Sequence, residues 1–273
     1  MGNLLWGIVF FSSSFLSPVY GASTDLDPLF YESNPEHMNK ALTSRQKNIG
    51  EWVENLNSKD LNLLCLGERH DDKYRSYLSK NFFNKYKMDV MFMEARQKQL
   101  DELVKASREE QEEVAFLGAD IGSVIRAALE TNPNLKFIGV ELTKAQKNIV
   151  TFEGKTKSRE GFIAQNVSEH LERGQRHLMF YGANHCAKFD IGLGNKTPAY
   201  RHLEKVIAPE KIRSARMLMH NRGDYLASIF GIIGLPEENK VFENVSKIPE
   251  SDYNYIWKIK KYFSSFDDLI YVY

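Results

Sequence analysis

Two cysteines in 273 residues are too few for a disulfide scaffold or a four-cysteine zinc site. Charge of one sign is missing too. Lys and Arg together number 36 and Asp and Glu 36, so the chain is formally neutral and carries no electrostatic footprint for nucleic acid or an anionic membrane surface. The apolar run Leu4 to Phe11 falls short of the about 20 residues that span a bilayer. No proline-rich linker or low-complexity tract interrupts the chain. With 42% hydrophobic and 26% charged residues, the composition excludes disorder, collagen and a coiled-coil rod. What remains is a globular chain long enough to bury a sizeable core.

The first residues, MGNLLWGIVFFSSSFLSPVYGASTD, read as a secretory signal peptide cleaved before Ala22, although the n-region lacks Lys and Arg. Residues 1–21 would be removed, leaving 22–273 as one exported α/β domain, periplasmic or secreted. The alternative is an N-terminal anchor that stays on. No cysteine adjoins the cleavage point, which argues against a lipoprotein. An oxidising compartment would permit Cys65 and Cys186 to pair. The simpler expectation is two small buried residues.

Five short apolar runs with breakers around them predict buried strands: Leu61–Leu66, Val90–Met93, Phe137–Val140, Leu178–Tyr181 and Ala215–Met219. Leu269–Tyr273 is a sixth candidate. Helix-period stretches lie between them: Arg75–Lys87, Gln97–Lys105, Ile121–Glu130, Arg159–Arg173 and Ala199–Val206. Residues 36–57 read as one N-terminal helix covering the sheet, and 231–262 show no clear pattern. Strand then helix, repeated, predicts an α/β fold with a mostly parallel central sheet flanked by helices. Its two halves echo each other, since LLCLGERH and MFYGANH both read apolar strand, Gly, two residues, His. The two histidines, His70 and His185, are 115 residues apart, too far for a solenoid period.

Ligands in open α/β sheets bind beyond the carboxyl ends of the strands. Every predicted strand end carries ionisable groups there: Glu68, Arg69 and His70; Glu94 and Arg96; Glu141; His185; His220 and Arg222. Histidine titrates near neutrality and ligates metals. A glutamate crowded by other carboxylates suits acid–base work. Two histidines with glutamates can bind a divalent cation and activate water, or work without one, an arginine stabilising an oxyanion. Structural alternatives exist: Glu68 and His70 as helix caps, Glu141 in a salt bridge to Lys144, and His220 in a surface turn. His37, His177 and His202 read as structural. On the helix from 159, Arg159 and Asn166 fall within about 20° of each other and point with the apolar face toward the sheet. A cation there needs a partner, and the strand-end glutamates can supply it.

The runs LLCLGERHDD, FMEAR, SREGFIAQNV and MFYGANH, in that order over about residues 61–190, resemble the superfamily of erythromycin esterases, Tiki and TraB proteins, and ChaN-like haem-binding proteins. Glu160 stands where that pattern has Asp or Asn, and Ile163 where Met is common. The resemblance implies Glu68, His70, Glu94, Arg159 and His185 as the working set. It implies a pocket at the strand ends and one of three branches: a metal-dependent peptidase, a metal-free esterase with a histidine base, or a haem carrier. Hydrolysis of an ester or peptide bond would have His70 or Glu68 activating water and Arg159 and His185 stabilising the developing charge. A divalent metal (Mn, Zn or Co) held by His70, His185 and Glu94 would assist a metal-dependent branch. The alternative is a periplasmic carrier of haem or a related iron compound. Apart from those branches, a further reading is an inactive enzyme that keeps the fold and serves as an interaction domain. The expected partner is a small-molecule or peptide substrate, or haem; nucleic acid and a transmembrane helix are not expected in the mature chain.

Overall fold

The computed structural model describes residues 35–109, 114–150, 158–189, 197–219, 239–248 and 263–272. The expected signal peptide, His220 and most of 231–262 lie outside them, as does the side chain of His37.

The strands are β1 (Gln46–Lys47), β2 (Leu63–Glu68), β3 (Val90–Met93), β4 (Ala115–Phe116), β5 (Ala119–Asp120), β6 (Lys136–Gly139), β7 (His177–Gly182), β8 (Ile212–Met219), β9 (Lys240–Phe242) and β10 (Asp268–Val272). Eight form one sheet in the order β1-β9-β10-β8-β2-β7-β3-β6, while β4 and β5 make a separate hairpin. From β10 to β6 every neighbour is parallel; β9 is antiparallel to both β10 and β1. All five predicted strands and the sixth candidate are present, displaced by at most a few residues. The short β1 and β9 at one edge were not foreseen.

The helices are α1 (Pro35–Thr43), α2 (Ile49–Ser58), α3 (Asp72–Leu78), α4 (Gln97–Arg108), α5 (Gly122–Thr131), α6 (Lys144–Asn148), α7 (Arg159–Ser168) and α8 (Ala199–Leu203). The single helix expected over 36–57 is two. Asn48 caps the second through a reciprocal capping box with Glu51, and β1 occupies the break. A π-helical turn, Ser79–Phe83, continues α3.

The sheet is buried on both faces, which is why its central strands read as unbroken apolar runs. Leu63 and Cys65 of β2 face a core built with α1, α7 and α8. Leu64 and Leu66 face a core built with α2 to α5, where Trp52, Tyr74, Phe82 and Phe83 are fully buried. Among the described residues no helix is long and apolar enough to cross a membrane.

His177 opens β7 as a structural residue. Its Nδ1 donates to the Asn62 carbonyl (2.9 Å), its Nε2 accepts from the Glu172 amide (3.2 Å), and its ring stacks on Phe92. Burial holds this imidazole below its ordinary value of 6.5, against the pull of the Asn62 carbonyl and nearby carboxylates. A depressed base binds protons more readily when unfolded. The chain therefore loses stability as pH falls from 6.5 toward the lowered folded value. Urea midpoints measured between pH 7 and 5 should fall with acidification, and less steeply in His177→Gln; an equal slope in the variant contradicts this role.

Candidate functional site

In register, Gly67 of β2 lies beside Tyr181 of β7, and Glu68 beside Gly182. The two Gly-x-x-His segments therefore leave the sheet side by side at its carboxyl edge. Contact there is close. A Cβ on Gly67 would sit 2.7 Å from the Ala183 Cα, a backbone atom that cannot yield. A Cβ on Gly182 would press on the Glu94 carboxylate and the His185 ring, each at 3.2 Å. Glycine at both points lets the turn after β7, Ala183–Cys186, dock on β2. Contrary to the simpler expectation, Cys65 and Cys186 form a disulfide across that contact. The pairing follows from the strand order, which sets the two Cα atoms 5.5 Å apart, within bridging range.

Glu68 ends β2 with only 4% exposure. Arg75, fully buried on α3, meets it with two parallel hydrogen bonds, Nε to Oε2 at 2.9 Å and Nη2 to Oε1 at 2.7 Å. Its Nη1 donates to the carbonyls of Phe116 and Ala119, both at 2.7 Å, which ties the β4–β5 hairpin to the site. His70 Nδ1 lies 2.9 Å from Glu68 Oε1. Arg75 Nη2 is also 3.3 Å from that nitrogen. A guanidinium only donates, and Glu68 is the nearer acceptor, so the Nδ1 proton goes to the carboxylate. Burial pushes Glu68 up, but the hydrogen bonds from His70 and Arg75 and the guanidinium charge outweigh it, holding the carboxyl below its ordinary 4.5. Helix capping falls to Asp71, whose side chain accepts from the Lys73 amide.

The other half centres on Arg159, first residue of α7. Its Nε and Nη2 donate to Glu141 at 3.1 and 2.5 Å. Nη2 also reaches Glu94 Oε1 at 3.1 Å, and Nη1 lies 3.2 Å from His185 Nε2. The second Glu94 oxygen accepts from the Gly182 amide at 3.0 Å and stands 3.7 Å from His70 Nε2. That ring nitrogen belongs to the other half, so one chain of contacts links both. Glu141 also accepts from the Tyr181 hydroxyl at 2.7 Å. Burial raises the Glu141 carboxyl, yet the Arg159 and Tyr181 bonds and the Arg159 charge bring it below 4.5 overall. Burial and then the charges of Glu141 and Glu94 drive the Tyr181 phenol well above its usual range, so it stays a donor. His185 Nδ1 pairs with Glu160 Oε2 at 2.7 Å, and Glu160, 2% exposed, also accepts from the Ala199 amide.

Glu68, His70, Glu94, Arg159 and His185, the five residues singled out in the sequence, thus converge. Glu141 joins them through Arg159, where a salt bridge to Lys144 was the structural alternative. Asn166 turns instead to the Val140 carbonyl and Gln146. Arg75, Tyr181 and Glu160 were not foreseen. Tyr181 could have been suspected as the polar-tipped last residue of an apolar run before Gly182. Glu160 was marked only as a departure inside the SREGFIAQNV motif, and nothing local marks Arg75. A surface cleft between α4 and the edge strand β6, lined by Val104, Leu135 and Phe137 among others, shares no residue with this site.

The residues expected to hold a divalent metal are His70, His185 and Glu94. Among the described residues no group of three or more His, Cys, Asp or Glu is placed to hold a metal ion. The physical reason is Arg159, whose guanidinium stands against both His185 Nε2 and Glu94, putting a fixed positive charge where a cation would need its ligands.

No protein-family model matches the sequence, and no curated protein does. Solved structures do. A succinoglycan biosynthesis protein superposes at TM-score 0.58 over 87% of this chain and 96% of its own, at 11% identity. A Bacillus cereus protein does so at TM-score 0.57 over 88% and 97%, at 10% identity. A histidine-to-asparagine variant of erythromycin esterase EreC in its open conformation follows at TM-score 0.52 over 85% and 96%, at 9% identity. The chain has the fold of erythromycin esterase EreC. That fold is what the motif order implied. At these identities the likeness to EreC covers architecture alone.

Two outcomes follow for stability. Glu68, depressed in the folded state, contributes stability that is complete above 4.5 and is lost as pH falls through its lowered folded value. Glu68→Gln should flatten that acid limb in urea titrations; an unchanged limb assigns it elsewhere. Opening the Cys65–Cys186 bridge in a double Cys→Ala variant should cost about 2–4 kcal/mol; full stability in that variant would show the bridge carries none.

Proposed function

We propose that the chain is an exported hydrolase of ester or peptide-type bonds, working at the carboxyl edge of β2, β3 and β7. One observation carries this reading. A buried, guanidinium-clamped carboxylate, Glu68, holds His70 by Nδ1 and leaves Nε2 facing Glu94 across 3.7 Å. This is the carboxylate–imidazole arrangement of a general base, with the carboxylate fixing the tautomer. A gap beyond direct hydrogen-bond length suits a water bridging His70 and Glu94.

In the proposed reaction, that water gives its proton to His70 Nε2 as its oxygen attacks the substrate carbonyl. The imidazolium formed is stabilised by Glu68. The carbonyl oxygen gains negative charge, which an N–H of Arg159 meets. Collapse of the tetrahedral species expels the alcohol or amine, which takes the proton back from His70. Arg159 is 35% exposed in its side chain, enough to meet a substrate. No step needs a metal, because Arg159 supplies the positive charge. The haem alternative would have to use His70 Nε2, which makes no direct hydrogen bond among the described residues. Tyr181 donates its hydroxyl to Glu141, and both nitrogens of His185 are occupied.

Export rests on the N-terminal pattern and on the Cys65–Cys186 bridge, since such bridges persist in oxidising compartments. A mature chain beginning at Ala22 is expected by mass analysis.

The test is a screen of the mature protein against aryl esters and peptides. His70→Ala should lose about 10²–10⁴-fold in kcat/KM. Arg159→Lys should lose about 10²-fold or more, since an ammonium cannot reproduce the fork. Activity should survive chelators, and a haem titration should leave the Soret region flat. Full activity in His70→Ala rejects the assignment.

A further inference from the structure

His70 and His185 are built alike: each follows Gly-x-x at a strand end, and each gives Nδ1 to a buried glutamate, Glu68 or Glu160. They differ in the group that the second nitrogen meets. Nε2 of His70 faces a carboxylate beyond hydrogen-bond length, whereas Nε2 of His185 lies 3.2 Å from Arg159 Nη1. A guanidinium has five donors and no lone pair. The His185 nitrogen facing it must therefore accept, and its proton sits on Nδ1, 2.7 Å from Glu160 Oε2.

We propose that Glu160 and His185 are positioning residues: Glu160 fixes the Nδ1–H tautomer of His185, whose Nε2 then anchors Arg159, leaving His70 as the one imidazole that exchanges protons. The catalytic consequence rests on the hydrolase reading above; the tautomer does not.

Three further contacts hold the pair still. Glu160 is buried and also bound by the Ala199 amide. The Tyr181 ring packs edge-on to the imidazole, with centroids 5.1 Å apart. Cys186, the next residue, is tied to β2 by the disulfide. The donors of Arg159 are then accounted for. Nε goes to Glu141, Nη2 to Glu141 and Glu94, and one Nη1 hydrogen to His185. The second Nη1 hydrogen makes no direct hydrogen bond among the described residues, with Glu160 Oε1 at 3.8 Å from that nitrogen, and is the one a substrate oxygen would take. His185 cannot take or give a proton without breaking one of its two bonds. The negative charge developing on a substrate is thus met by Arg159 alone, not by Arg159 and His185 together.

The test compares His185→Gln with His185→Leu on the full mature chain. A glutamine offers a carboxamide oxygen that can accept from Arg159 but cannot act as an acid or base. Activity should fall about 100-fold in His185→Leu and be largely restored, to within about tenfold of wild type, in His185→Gln. The glutamine variant should keep the wild-type pH profile. A glutamine variant as inactive as the leucine variant, or one with an altered pH profile, overturns the proposal. A second measurement needs no activity. ¹⁵N NMR of the histidine side chains at neutral pH, with His185 assigned by its loss in His185→Gln, should show a protonated Nδ1 and an unprotonated Nε2. A protonated Nε2 overturns the proposal even in an active enzyme. A chain that hydrolyses nothing but shows the expected tautomer defeats the hydrolase reading and leaves the positioning pair standing.

Discussion

Four carboxylates crowd one edge of a sheet, and two guanidiniums hold them there. Glu68, Glu94, Glu141 and Glu160 would repel one another and resist burial if left alone. Arg75 neutralises the first with a bidentate pair, and Arg159 spans the next two and reaches toward the fourth. Removing one partner from such a buried pair costs about 3–5 kcal/mol, because the other charge stays behind. The site is therefore a closely cross-linked block, net negative because four carboxylates share two guanidiniums, in which each side chain is set by the others.

That block exists because β2 and β7 are neighbours, although 115 residues separate their histidines. A parallel sheet must return each strand in the same direction, so its carboxyl ends gather on one edge. Close approach of Gly67 to the turn after β7, and the bridge from Cys65 to Cys186, bring the two halves nearer than packing of larger side chains would allow. Both halves then contribute a glutamate and an imidazole. The symmetry ends at Arg159, which lies against one imidazole and not the other. On the proposed reading, this asymmetry divides the labour: one ring moves protons, the other holds a cation.

The fold shared with EreC and the two other proteins spans nearly their whole lengths, at identities of 9 to 11%. A fold tolerates that divergence because a buried parallel sheet asks only for apolar side chains of fitting volume. The chemistry tolerates much less, so function is argued from this chain's own side chains.

Much was legible in the residues themselves. Apolar runs buried on both faces announce parallel strands, and the polar residues directly after such a run must emerge at the strand's end. Local order along the chain thus identified the five convergent residues, the α/β class and the helix that brings Arg159 inward. It could not reveal Arg75, Tyr181 or Glu160 as partners. Tyr181 and Glu160 find partners 40 and 25 residues away, and even Arg75, seven residues from Glu68, obeys no spacing rule that encodes which buried charge finds which. Nor could it decide that Cys65 and Cys186 bond, that the 36–57 stretch breaks into two helices around an edge strand, or that a guanidinium stands where a metal was expected. Periodicity and residue chemistry act over a few residues and so belong to the sequence. Pairing of charges, thiols and strands depends on distances through space, which only the folded arrangement sets.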